Sequence, residues 1–298
     1  MLNDIVLREA TPSDLPIFGR FTFPCYAECF DLAGSPSLDI RIAEFNDGRP
    51  AGLLVASVSE FNSTHMCLRS ISVDSSIRRR GLGHHLLSES LSAWRARNIR
   101  LVNTVWTSRQ KCAPEFESLL RKSGFQDPED RNHFFEGSPE KVVDASWFPT
   151  VMKEPATPYK FVPWREAPVT TEQAIELGSP DTLTPDFRTE FIDPDVSQVL
   201  TCDGSPVGWS LVHDLPERDD GMCHSRTWVH PNHLGLGRGF QIMMRAVRAQ
   251  FTFRPDRPIG YYDIAAEKAA IVRMHYKRLV PQGFYTYASR EATISFYG

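Results

Sequence analysis

Apolar and polar positions along the chain fall into runs whose period changes, and each change marks an element. Ile40-Arg-Ile-Ala-Glu-Phe45 alternates, turns at Asp47-Gly48 and resumes from Gly52 to Val58, the pattern of a β-hairpin. Leu68 to Val73 reads as another strand, after which Leu86, Leu87, Leu91 and Trp94 fall at helical spacing and predict a helix running to Ala96. Leu101 to Trp106 is strand-like, and Phe116 to Leu120 belongs to a helix closed by Gly124. Ahead of them stand a short strand, Ile5-Val-Leu7, and a helix start at Thr11-Pro12, with Thr as cap and Pro at the first helical position.

The same order returns later in the chain: Val199 to Thr201, Gly208 to His213 and Thr227 to Val229, a helix from Phe240 to Phe251, Ile259 to Ile264, and a helix from Lys268 to Arg278. Local sequence repeats with it. Arg8-Glu-Ala10 recurs as Arg165-Glu-Ala167 at an offset of 165 − 8 = 157, and Asp47-Gly48 as Asp203-Gly204 at 156. Val73 recurs as Val229 at 156, and Gly124-Phe125 as Gly283-Phe284 at 159, as though three residues were inserted near Val280-Pro281-Gln282. A fixed period of this length marks a duplicated unit. Residues 1–145 and 160–298 are therefore expected to be two similar α/β domains with mixed sheets, joined over 146–159 by a proline-containing surface connector with Pro149, Pro155 and Pro158.

Composition narrows the class without choosing the chemistry. The 298 residues are 41% apolar and 23% charged, ordinary for packed domains, and no apolar run approaches the ~20 residues that cross a bilayer. The N-terminus lacks the pattern of a signal peptide, so a cytoplasmic protein with no membrane partner is expected. A formal charge of −4 gives no track for nucleic acid. The six cysteines contain no Cys-x-x-Cys pair and Cys25 and Cys29 stand alone one helical turn apart, so no metal site is expected.

Chemistry concentrates in Val73-Asp-Ser-Ser-Ile-Arg78-Arg79-Arg80-Gly81-Leu-Gly83-His84, which joins a strand to a helix. Glycines here let consecutive backbone N–H groups point outward at a helix N-terminus, a geometry that cradles a pyrophosphate. The second half repeats it as Val229-His-Pro-Asn-His-Leu234-Gly235-Leu-Gly237-Arg238-Gly239. At these residues the chain resembles the GNAT superfamily of acetyl-CoA-dependent N-acetyltransferases, whose pattern is Arg or Gln, two residues, Gly, one residue, then Gly or Ala. Arg78 to Gly83 meets that pattern, and Leu234 departs from it at the Arg or Gln position. The resemblance covers nearly the whole chain as two tandem GNAT-like acyltransferase domains, similar in layout to the mycothiol synthases.

The resemblance implies acetyl-CoA or another acyl-CoA as co-substrate, a small-molecule amine as acceptor, and a monomer or homodimer. It assigns cofactor binding to Val73, Arg78, Arg79, Arg80, Gly81, Gly83 and His84, and to Val229, Gly235, Gly237, Arg238 and Gly239. It also puts a tyrosine on the helix before Gly-Phe as proton donor to the leaving thiolate; Tyr276 takes that place, with Leu120 as its counterpart in the first half. His224 and Glu60 are the candidate bases of the second and first halves. The acceptor-side loops are expected at Phe18–Pro36, with Phe21, Phe23, Tyr26 and Phe30 as pocket wall, and at Leu177–Pro194. A rival reading is a tandem protein that holds acyl-CoA without turnover. A third, acyl transfer on charged tRNA, has the phosphate loops and the acidic balance against it.

Overall fold

The computed structural model describes residues 4–180, 191–216, 218–235 and 237–296, with the side chain of Glu28 excepted. Residues 181–190 of the second expected acceptor-side loop, and Leu236 between Gly235 and Gly237, lie outside the described residues. The chain forms two compact units, residues 1–131 together with 288–298, and residues 132–287.

In the first unit the strands β1 (Ile5–Glu9), β2 (Leu38–Phe45), β3 (Pro50–Ser59), β4 (Asn62–Val73) and β5 (Leu101–Thr107) lie side by side in that order. The first four form an antiparallel meander, and β4 and β5 run parallel. The parallel step needs a crossover, supplied by helix α1 (Leu82–Ala96); α2 (Ala113–Lys122) follows β5. Strand alternation divides the core. Leu54 and Ala56 face α1 and α2 in a cluster with Leu86, Leu87, Trp94, Val102 and Leu120, whereas Leu53 and Val55 face the short first helices with Phe18, Phe21 and Phe30. Fully burying each of these large side chains stabilises the fold by about 1.5–3 kcal/mol. Of the expected pocket wall, Phe21 and Phe30 are thus core, and Phe23 is exposed.

The second unit contains β6 (Glu129–Gly137), whose residues from Asn132 on belong here, β7 (Tyr159–Pro163), β8 (Gln198–Cys202), β9 (Ser205–His213), β10 (Gly221–Val229) and β11 (Ile259–Ala265), with α3 (Arg238–Phe253) and α4 (Ala269–Leu279). Its sheet order is β7-β8-β9-β10-β11-β6, again antiparallel except for the parallel pair β10 and β11. The sixth strand of the first unit's sheet is β12 (Tyr285–Ser295), where Ser289 to Ser295 pair antiparallel with Thr107 to Leu101 of β5. The two halves of the sequence have therefore exchanged closing strands: residues 132–137 of the first half complete the second unit, and 288–295 of the second half complete the first.

The repeat holds at the level of single residues. Val73 ends β4 opposite Gly52, and Val229 ends β10 opposite Gly208, both offsets being 156. Both glycines are needed for the close approach of the strands, because a Cβ at either would stand 2.8 Å from a backbone oxygen of the facing strand. The expected divide at 146–159 is not where the units part. Phe148 is buried in the second unit's core with Trp147, Val151 and Met152 packed around it, so this stretch is part of the second unit rather than a surface connector.

Candidate active site

In the first unit the segment after Val73 is tied down at both ends. Asp74 caps the 3₁₀ turn Ser75–Ile77 by accepting from the Ser76 N–H at 2.9 Å, and Ile77 and Leu82 are buried against Ala43 and Ala51. Between these anchors the chain turns through two left-handed positions, Arg79 at φ 63° and Gly81 at φ 89°. Glycine adopts that conformation freely, while an arginine holds it at a cost of about 1–3 kcal/mol. The first helical bond runs from His85 N–H to Gly81 O at 2.9 Å, so the N–H groups of Leu82, Gly83 and His84 have no helical acceptor and open onto the positive end of the α1 dipole. A methyl group at Gly83 would touch Val73 Cγ2 at 3.6 Å and Leu119 Cδ2 at 3.7 Å, so anything larger must displace side chains packed against the start of α1.

The charged side chains of this loop have distinct tasks. Arg78 Nε donates to Val73 O at 3.0 Å, holding the loop to the strand end, and Arg79 pairs with Glu115 at 3.2 Å on the exposed surface. Arg80 is exposed, and His84 Nε2 lies 3.3 Å from Lys122 O, leaving its backbone N–H as its contribution to the cradle.

The second loop keeps the backbone and changes the side chains. His230 replaces Asp74 as the cap, accepting from Asn232 N–H at 3.2 Å; Gly235 and Gly237 take positive φ of 129° and 72°; and α3 closes with Gln241 N–H to Gly237 O at 2.9 Å. Arg238 N–H is used by Gly235 O at 3.1 Å, and Gly239 and Phe240 N–H have no acceptor among the described residues. The Arg238 guanidinium lies 3.9 Å from the Tyr159 ring centroid and donates to His233 O at 2.9 Å, folded back toward β7. Leu234 is 60% exposed where the first loop has Arg78, and a Cβ at Gly239 meets nothing within 4 Å.

Beside each loop the parallel strands part. In the first unit the pairing of β4 with β5 ends at Leu68 and Thr104, and Arg69 forms a bulge against β3. In the second the pairing of β10 with β11 ends at Cys223 and Tyr261, with Ser225 as the bulge, and 225 − 69 = 156. A bulge bends one strand away from its neighbour, which opens a V-shaped gap ending at Val73 or Val229 under the glycine loop.

Of the three expected catalytic side chains, two fall elsewhere. Glu60 is in the two-residue turn between β3 and β4, at the opposite end of β4 from Val73, on the order of 35 Å of strand away. It is corrected to an exposed hairpin tip. His224 is 6% exposed, bonded through Nε2 to Gln250 Oε1 at 2.8 Å, and burial pushes its pKa down to about 4. It is a core histidine, standing where the first unit has Leu68, and so weak a base does not suit amine deprotonation.

Tyr276 lies over β6, its hydroxyl 3.3 Å from His133 Nδ1 and its ring edge-on to Phe135. Its counterpart is not Leu120. Phe125 N–H bonds Leu120 O and Phe284 N–H bonds Leu279 O, an offset of 159 that pairs Leu120 with Leu279 and Tyr276 with Glu117. Glu117 likewise pairs with Arg290 of β12, and Arg290 and His133 stand opposite Trp106 and Ile264 at matching places in their sheets. The extra residues enter ahead of α4, since β5 and β11 are already offset by 259 − 101 = 158, and not near Val280. Tyr276 is therefore the second unit's version of a helix-to-strand tie.

Two groups on the sheet faces turned away from α1 to α4 were not singled out in the sequence. Glu291 of β12 accepts from Asn103 Nδ2 at 3.0 Å and pairs with Arg131 at 3.5 Å in the first unit. In the second, Asp263 of β11 has its carboxyl pushed above the usual value by desolvation, and burial together with the Asp263 charge pushes the Cys223 thiol to about 12. The signal for Asp263 was a lone acid inside the strand Ile-Gly-Tyr-Tyr-Asp-Ile-Ala. Among the described residues no cluster of three or more His, Cys, Asp or Glu could hold a metal, and no helix is long and apolar enough to cross a membrane.

Residues 7–116 match the family model for the acetyltransferase (GNAT) family. Among curated proteins none matches the chain by sequence. The fold is similar over the whole chain to a tandem GNAT protein from the clavulanic acid biosynthesis pathway, solved without acetyl-CoA, at TM-score 0.58 and 14% identity, covering 99% of each chain. It is also similar to a GCN5-related N-acetyltransferase from Sphaerobacter thermophilus, at TM-score 0.58 and 15% identity, over 98% of this chain and 96% of that one.

Proposed function

We propose that the chain, whose residues 7–116 match the acetyltransferase (GNAT) family model and whose fold is similar to that of tandem GNAT proteins, moves an acetyl or related acyl group from acyl-CoA to the amine of a small molecule. The observation that carries the reading is the glycine loop at the head of α1, beside the gap between β4 and β5, with three adjacent N–H groups open to an anion. The pyrophosphate of the co-substrate would lie on Leu82, Gly83 and His84 N–H, with Arg79 and Arg80 supplying diffuse positive charge. Its pantetheine arm would follow the free edge of β4 toward Leu68, bringing the thioester to the point where the strands part. The acceptor nitrogen then bonds to the carbonyl carbon as the C–S bond breaks. One amine proton goes to a base, and a second ends on the departing thiolate.

Among the described residues the second loop uses its Arg238 N–H internally and carries an exposed leucine in place of Arg78, which favours the first loop as the phosphate site. Calorimetric titration of acetyl-CoA into the parent and into Gly83→Val and Gly239→Val tests the reading. Binding that is lost mainly in Gly83→Val is expected. A folded parent that does not bind acetyl-CoA overturns it, and binding without acetylation of any amine would favour the acyl-CoA holder instead.

A further inference from the structure

We propose that the second unit carries a nucleophile, Ser225, activated by His213, and that this pair cleaves carboxylic esters with water. The activity is separate from acyl transfer to an amine and stands on atoms of the second unit alone.

Strand register brings the two side chains together. His213 stands opposite Cys223 where β9 meets β10, with Ile192 bridged to its other side, and the bulge two residues past Cys223 puts Ser225 beside it. His213 is held in place at 5% exposure, while Ser225 is open to solvent. The Ser225 Oγ lies 2.6 Å from His213 Nδ1 and 3.5 Å from Leu211 O. The shorter contact claims the hydroxyl proton, so Oγ donates to Nδ1 and the imidazole carries its own proton on Nε2. A hydroxyl that a substrate can reach, bonded to a fixed basic nitrogen, is the arrangement nucleophilic catalysis requires.

The first unit shows the same two positions used as a plain tie. Ser57 matches His213 at 213 − 57 = 156, as Arg69 matches Ser225, and Ser57 faces Cys67 as His213 faces Cys223. There Arg69 Nε donates to Ser57 Oγ at 3.0 Å. A guanidinium neither gives up its proton nor has a lone pair to receive one, so that bond does no more than cross the bulge. The second unit keeps the bond and replaces its ends with a hydroxyl and an imidazole, between which a proton can pass from oxygen to nitrogen.

The reaction balances within the pair and water. Ser225 Oγ bonds to the ester carbonyl carbon as its proton passes to His213 Nδ1. The C–O bond to the alcohol then breaks, and the alkoxide leaves with that proton. Water attacks the acyl-serine, giving a proton to Nδ1, from which it returns to Oγ as the carboxylic acid departs. The pairing of β10 with β11 ends at Cys223, so alternate backbone N–H groups of β10 past that point face the gap and can hold the carbonyl oxygen as it gains charge.

The test incubates the full chain with p-nitrophenyl acetate and no acetyl-CoA, so its outcome is independent of the acyltransferase reading. Hydrolysis is expected, with an acetyl group found by mass spectrometry on the peptide that holds Ser225 after an acid quench. Ser225→Ala and His213→Asn should each lower the rate roughly 10²-fold or more, the thermal midpoint of Ser225→Ala staying near that of the parent, while Ser35→Ala hydrolyses as the parent does. Because His213 is buried, Ser225→Cys supplies a second measurement that leaves it in place. The thiol at that position should react with iodoacetamide faster than the exposed Cys25 of the same chain, since the imidazole takes its proton. A parent that does not hydrolyse the ester, a rate unchanged in Ser225→Ala, or a thiol in Ser225→Cys no faster than Cys25 overturns the proposal and leaves the pair as a tie across the bulge.

Discussion

The two units share a backbone and differ in how they spend polar side chains. In the first, the segment between strand and helix is anchored by apolar Ile77 and Leu82, so its arginines face outward around three open N–H groups. In the second, the matching places hold His233 and Arg238, which bond to each other and pack on Tyr159, and the outward place of Arg78 is taken by Leu234. The reverse holds where the strands part: the first unit's carboxylate Glu291 is fully engaged, and the second unit's Asp263 is not. A duplicated fold can thus keep its backbone turns while its two copies place their charged side chains differently.

The comparison can be broken most severely at the closing strand. Ending the chain after Tyr287 removes Ser289 to Ser295 from β5, along with Ala292 from the first core, and leaves the second unit's own strands in place. Hydrogen exchange should show protection lost through β4, β5 and α1 and retained in β9 to β11. Equal loss in both units would mean that they do not fold as separate bodies. Next in size is the difference between the loops. Gly83→Val should weaken acetyl-CoA binding by roughly 10–100-fold, and Gly239→Val by less than about threefold, in calorimetry; the opposite ranking would make the second loop the main phosphate site.

A third variant exchanges one core for the other. His224 holds its pKa at about 4, below the value near 6.5 of an unfolded histidine, so between those pH values the unfolded chain binds a proton that the folded chain refuses. Stability is fully present above about pH 6.5 and falls toward pH 4, by up to about 3 kcal/mol. His224→Leu, which installs the first unit's residue, should flatten denaturant midpoints measured from pH 4.5 to 7.5, and an unchanged slope would show that other groups set it. The smallest effect is expected of Tyr276→Phe. Loss of the bond to His133 should cost about 1 kcal/mol and leave turnover within about twofold if Tyr276 is only a tie; a fall of a hundredfold would make it the acid.

Features carried by local pattern were legible in the sequence. The repeat, the meander, the strand-loop-helix at Val73 to Gly83 and its copy at Val229 to Gly239 follow from alternation, helical spacing and glycine position, and each lies within a short stretch of chain. What escaped depends on partners distant in sequence. Nothing in β6 or β12 announces that it pairs with the other half's strand, because an edge strand reads the same whichever neighbour it meets. The places of Tyr276, His224 and Glu60 turned on helix register and strand direction. A slip of three residues moved the partner of Tyr276 from Leu120 to Glu117, and Glu60 lies at the wrong end of its own hairpin. Asp263 was invisible for the same reason, since its meaning arises only where β10 stops pairing.

The exchanged strands also put the two units on a clock. During synthesis β5 emerges with its outer edge, Leu101 to Thr107, waiting for residues that follow 288 − 131 = 157 positions after the rest of its unit. At about 5–20 residues per second the ribosome needs roughly 8–30 s to deliver them. For that interval the nascent chain exposes an unpaired β edge that any other extended segment can occupy, whereas the second unit receives its borrowed strand, β6, before its own strands are made. The order of translation therefore makes the first unit the one that most needs protection while the chain is being made.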